Sequence, residues 1–179
     1  MLFDMGKQVK LNFFNVTTGI VMKIRILVLL IITHGAIFMG GFALGIYALP
    51  ILIAPPAPSE SEVKEFAAEA EYSAEFRKDL KDSDGLHWGE GTVSLSTSTI
   101  TFMGELSPGP DYKLYLSPEF IETEVDFNQL KAQMIQVGEI KTFDNFVVNL
   151  PEGVILEEFN SVIVWCETFG EFITSAKYR

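Results

Sequence analysis

The chain has 179 residues, room for one domain and an anchor, and carries a net charge of −11. That charge is unevenly placed: before Ser59 only Asp4 opposes Lys7, Lys10, Lys23 and Arg25, whereas from Ser59 onward 23 acids face nine bases. An acidic surface of this kind repels a phosphate backbone and anionic headgroups, so nucleic acid is not expected as a partner, and neutral, cationic or metal-bearing partners are. The lone cysteine, Cys166, excludes an intrachain disulfide and does not identify a compartment.

In chain order, residues 1–25 read as a short cytoplasmic tail. Met22 opens a better start to a targeting segment than Met1 does, and the first 21 residues are assigned no role. From Ile26 to Ala54 there is no charged side chain over 29 residues. A helix of ~20 residues at about 1.5 Å each already crosses the hydrocarbon core. Residues 26–53 are therefore a transmembrane anchor in contact with lipid, with Pro50 expected to end or kink the helix and Tyr47 near the outer interface. Lys23 and Arg25 precede the span while Glu60, Glu62 and Glu65 follow it. The positive-inside rule then puts the N-terminus in the cytoplasm, the anchor in the inner (plasma) membrane and residues 59–179 in the periplasm or outside the cell. Ala43, Leu44 and Gly45 would serve as a cleavage site if the segment were a signal peptide, but the apolar run continues past them, which favours retention. Gly41 and Gly45, extended by Ala36 and Gly40, form a small-residue face through which a homodimer could pack, although glycine is common in membrane helices for other reasons. His34 is polar inside the span. A hydrogen bond to a helix or snorkelling accounts for it more simply than a proton or haem role.

Residues 54–59 (APPAPS) form a stiff spacer, and the segment 54–82 combines this proline-rich linker with an amphipathic helix. Ser59 or Ser61 caps the helix, expected over residues 60–72, and Val63, Phe66, Ala67, Ala70, Ala74 and Leu80 supply a rough apolar stripe. Residues 83–179 change pattern. Short alternating runs, GTVSLS, STITFMG, DYKLYLS, QMIQVGEI, NFVVNL and SVIVWCETF, are separated by turns at Pro108-Gly109-Pro110, Ser117-Pro118, Asp144-Asn145 and Pro151-Glu152-Gly153. This spacing predicts an all-β fold, a small antiparallel β-sandwich or barrel-like domain closed by the strand from Ser161 to Cys166.

The chemistry-bearing residues are few. A structural zinc site needs four Cys or His ligands, and the outer domain offers Cys166 and His87, so no metal ligand set is assigned. Aligning Gly85 with the glycine of an EF-hand loop puts Leu80 and Gly91 at the end positions, which fails, so Asp82 to Gly85 read as a turn. Covalent haem attachment lacks its cysteines. A non-covalent haem would have to use His87 with Met103 or Met134, although methionines ordinarily pack in cores. His87 is also the only base for a hydrolytic triad, and without a nucleophile elbow or phosphate loop no catalytic residue is assigned. In SVIVWC, Val162, Val164 and Cys166 share one face of a strand while Ile163 and Trp165 share the other. Cys166 reads either as a buried small hydrophobe or as a surface-proximal redox thiol beside Trp165.

HWGEGTVSLS, DYKLYLSPEF, VGEIKTFDNFVVNLP and above all SVIVWCETFGEFITSAKY resemble the DM-thirteen domain, also called the electron-transfer DM domain, over about residues 70–179. The Trp-Cys ending of a late strand is the most specific feature. Bacterial members are similar throughout, including an anchor ending like Tyr47 to Pro50. The resemblance implies an all-β, sandwich-like fold and a cysteine, here Cys166, proposed to act as a naked redox thiol or to hold a prosthetic group. His87 and Trp165 are carried over more weakly as cofactor-contacting positions. No enzymatic activity and no identified cofactor come with the family. Two readings follow: a membrane-anchored electron-transfer or thiol-redox module meeting a protein or redox partner, or a non-catalytic envelope interaction or ligand-binding module in which Cys166 is only packed.

Overall fold

The computed structural model describes residues 2–179, with side chains described from Thr18 onward. The chain divides into two compact units, Met1–Gly45 and Ile46–Arg179. Helix α1 runs Leu2–Ile53. Within it Thr18–Ile53, 36 residues with mean hydropathy 2.2, is long and apolar enough to cross a membrane. Pro50, expected from the sequence to end or kink the helix, does not end it. It lies inside the last turn, with three residues of helix after it. His34 satisfies itself locally, its Nδ1–H donating to the Leu30 carbonyl at 2.8 Å.

Helix α2, Glu60–Ala67, begins where Ser59 Oγ accepts from the Glu62 amide at 3.3 Å, with Glu60 and Glu62 in the positively polarised first turn. It is shorter than the stripe suggested. Residues 72–76, assigned in part to the helix and otherwise to its linker, form strand β1 (Tyr72–Phe76). Here Tyr72, Ala74 and Phe76 turn inward at a period of two while Ser73 and Glu75 are exposed. Ala74 fits either period, and tertiary pairing decided it.

Eight strands make two four-stranded antiparallel sheets. The first has the order β1-β2-β3-β6, with β2 Gly89–Leu95, β3 Thr99–Leu106 and β6 Phe146–Asn149. The second has the order β5-β4-β7-β8, with β4 Tyr112–Ser117, β5 Ile135–Ile140, β7 Ser161–Cys166 and β8 Glu171–Lys177. The inward faces of both sheets meet in one core that includes Val93, Leu95, Ile100 and Phe102 from the first and Leu114, Leu116, Val162 and Val164 from the second. Each such fully buried side chain contributes roughly 1.5–3 kcal/mol.

The fold is not purely β. Besides α1 and α2, a helix α3 (Glu124–Leu130) is capped by Thr123 Oγ1, which accepts from the Asp126 amide at 3.1 Å. It covers the second sheet's outer face through a separate cluster of Leu80, Tyr115, Ile121, Phe127, Ile163, Trp165 and Phe172. α2 packs on β3 and β6 of the first sheet, where Val63 is buried and so are Thr99 and Thr101, on the face turned from the core. Strand β7 is consequently buried at every position. Its two faces divide as the alternation predicted, yet both are covered, the condition under which a strand reads as one continuous apolar run. β7 is not the last strand. β8 pairs with it along its length, and its EFITSAK sequence mixes small polar residues that are nonetheless buried.

Candidate functional site

Cys166 closes β7, with Tyr112 of β4 opposite it on one side and Glu171 of β8 on the other. Immediately after it the chain turns back. The Gly170 amide donates to the Cys166 carbonyl at 2.9 Å, and Gly170 adopts φ +69°, a left-handed conformation that glycine takes without a Cβ clash. The Glu167 amide donates to the Asp111 carbonyl at 3.0 Å, tying this turn to the β3–β4 connection. The thiol is 2% exposed and belongs to the central core, so it is not at the surface. Burial pushes it above its ordinary value. The neighbouring backbone of Phe169, Asp111 and Thr168 pulls the other way without prevailing. The resting group is a protonated thiol, a poor nucleophile.

Tyr112 beside it is also buried. Its hydroxyl donates to the Ser107 carbonyl at 2.8 Å, and its ring lies so close to Gly109 that a Cβ there would come within 2.4 Å of it. Burial pushes the phenol up. A cleft of about 210 Å³ borders this region, lined in part by Gly109, Asp111, Tyr112, Lys113, Ile140 and Phe143. Cys166 does not line it; its neighbours Asp111 and Tyr112 do.

The other sequence-derived candidates lie apart. His87 follows the Asp82-to-Gly85 turn, and its Nδ1 is 3.2 Å from the Asp84 carboxylate. Asp84 Oδ1 accepts from the Leu86 and His87 amides at 2.7 and 2.8 Å, contacts that hold its carboxyl below the usual range, the Leu86 amide most strongly. The segment is thus the turn that was expected. Asp82 accepts from the Glu124 amide at 2.7 Å, at the first turn of α3. Met103 sits on the alternate face of β3 from core Phe102, and Met134 packs against the α3-side cluster. His87 lies in the loop before β2, Met103 on β3 and Met134 just before β5. Among the described residues no group of three or more His, Cys, Asp or Glu is placed to hold a metal ion. Trp165 is 2% exposed and stacked flat on Phe127, centroids 3.8 Å apart and planes 7° from parallel.

One arrangement was not anticipated. Tyr115, 5% exposed, donates its hydroxyl to Glu167 Oε1, and Lys131 Nζ holds both oxygens of that carboxylate at 2.9 and 2.8 Å. Burial acts to raise the Glu167 carboxyl, but Lys131 and Tyr115 hold it below its usual value. The Tyr115 phenol is pushed up, first by burial and then by Glu167. Alternation along DYKLYLS could have placed Tyr115 opposite Tyr112 in facing, but nothing in sequence spacing joins positions 115, 131 and 167.

A family model described as "Electron transfer DM13" matches residues 76–178. No curated protein and no solved structure matches the chain.

Proposed function

The chain belongs to the DM-thirteen family of electron-transfer domains, and from that premise we propose that it is a membrane-anchored β-sandwich module taking part in electron transfer outside the cytoplasm, with Cys166 as its redox-active thiol. The observation that carries this reading is the match of the electron-transfer family model to residues 76–178, which includes Cys166 at the end of β7. Because the thiol is covered at rest, its use requires the Glu167-to-Gly170 turn to open, and that turn is among the more exposed parts of the region, with Phe169 50% exposed. The acidic outer domain favours a neutral or cationic redox partner. The flanking charges favour an N-terminus in the cytoplasm and the domain in the periplasm or outside the cell. The spacing of Gly41 and Gly45 on one helix face would let two such anchors approach closely.

A second reading, a non-catalytic interaction module with Cys166 packed, is favoured by the thiol's 2% exposure and core membership. Thiol labelling of the intact protein in detergent micelles, with and without denaturant, separates the two. Labelling of the folded protein, accelerated by the cognate or a surrogate cationic redox protein, supports the first. Labelling only in denaturant, partner or not, leaves the second.

A further inference from the structure

Tyr115 stands apart from the other buried tyrosines in what its hydroxyl touches. The Tyr112 hydroxyl donates to the Ser107 carbonyl and the Tyr178 hydroxyl to the Leu156 carbonyl, each at 2.8 Å. A carbonyl oxygen accepts a hydrogen bond but does not take the proton. Tyr115 donates instead to the carboxylate of Glu167, with the neutral amide oxygen of Gln136 as a weaker acceptor at 3.3 Å. Removing an electron from a phenol makes its O–H strongly acidic, so a buried tyrosine is oxidisable only where a base already waits for the proton. Glu167 is that base, kept ionised by Lys131.

The ring is also coupled to its neighbours. Tyr115 meets Phe127 edge-on at 5.2 Å between centroids, Phe127 stacks on Trp165 at 3.8 Å, and Trp165 is bonded in sequence to Cys166. Lys131 is 42% exposed and Glu167 26%, so the proton-accepting end of the network reaches solvent while the rings remain buried.

We propose that Tyr115 is a redox-active tyrosine, with Glu167 as its proton acceptor, Lys131 as the residue that positions Glu167, and Trp165 as the aromatic relay toward the end of β7. The proposal rests on the electron-transfer reading but not on Cys166. In the step, a ferric or cupric centre of a partner takes one electron and becomes ferrous or cuprous. The Tyr115 O–H bond breaks, its proton moves to Glu167 Oε1, and a neutral phenoxyl radical remains beside a neutral glutamic acid. One electron from a reduced donor returns the proton to the phenol oxygen.

The test is flash photo-oxidation of the full chain in detergent micelles with a cationic ruthenium polypyridyl, read by transient absorption and electron paramagnetic resonance. The expected result is a fast neutral tyrosyl signal above the slower background of the more exposed Tyr47 and Tyr72. Tyr115→Phe keeps the ring packing and abolishes the fast phase, leaving a tryptophanyl signal. Glu167→Gln, nearly isosteric, slows the fast phase ~100-fold, the low end of what a positioned general base contributes. Cys166→Ser leaves it intact. Circular dichroism confirms that each variant is folded. A fast phase that survives Tyr115→Phe, or one that forms at the native rate in Glu167→Gln, overturns the proposal. If Cys166 labels only when unfolded yet the fast phase is present, the thiol reading falls and the tyrosine stands. If the thiol is reactive and the fast phase is absent, only the tyrosine assignment falls.

Discussion

Replacing Phe127 with Ala tests whether the second sheet is truly covered on its outer face. Phe127 is fully buried in α3, stacked on Trp165 at 3.8 Å and edge-on to Tyr115 at 5.2 Å. Loss of a buried phenylalanine and the cavity it leaves costs ~3–5 kcal/mol, a range that includes much of the ~0.5–1.5 kcal/mol each aromatic pair adds beyond its area. Taking ~4 kcal/mol, and ~4 °C of melting temperature per kcal/mol for a domain of this size, the variant melts about 15 °C below the parent. Against a whole-domain stability of ~5–15 kcal/mol this is a large fraction. The assay is urea and thermal unfolding of the full chain in micelles, followed by fluorescence of the two tryptophans. Trp165, losing its stacking partner, should also emit further to the red in the folded state. Val125→Ala on the same helix, where the side chain is 64% exposed, is the control and should shift stability by less than ~0.5 kcal/mol. A loss below ~1 kcal/mol in Phe127→Ala would refute the third layer.

Ser59→Ala removes the α2 cap and should cost ~1 kcal/mol in the same unfolding measurement, without altering thiol labelling. Gly170→Ala puts its new Cβ in ordinary contact with the Trp165 ring at 3.9 Å but must hold φ +69°, so it should cost ~1–2 kcal/mol and speed labelling of Cys166 by loosening the turn over it. Glu124 has its carboxyl raised, first by a hydrogen bond with Glu171, then by burial and by the charges of Glu171 and Asp82. The folded state therefore holds this proton more tightly than the unfolded one. The stability it contributes is present below the ordinary value of 4.5 and is lost as pH rises through the folded value. Glu124→Gln should raise the melting temperature at neutral pH and flatten the acid-side pH dependence; an unchanged pH profile would remove Glu124 from this account.

Sequence alone determined the parts of this protein that depend on local composition and period. Twenty-nine uncharged residues from Ile26 to Ala54 specify a helix long and apolar enough to cross a membrane, and alternating runs between Gly, Pro, Asn and Asp turns specify β2 to β7 because side chains point to opposite faces. The division of Val162, Val164 and Cys166 from Ile163 and Trp165 was legible for the same reason. Covering is a different matter. Whether a face meets solvent, a second sheet or a helix depends on residues distant in sequence. Cys166 at a strand end gave no sign that the turn back through Gly170 and the β3–β4 connection would enclose it. Strand β1 was hidden because Ala74 suits a period of two or of 3.6, and only its pairing with β2 chose between them. β8 was hidden because Thr174 and Ser175 look like surface residues, yet both are buried, Ser175 donating to the Ile121 carbonyl at 2.5 Å. The Tyr115, Lys131 and Glu167 network was the least legible of all. It joins β4, the turn after α3 and the turn after β7, and its charge pairing exists only where the fold brings those three ends together.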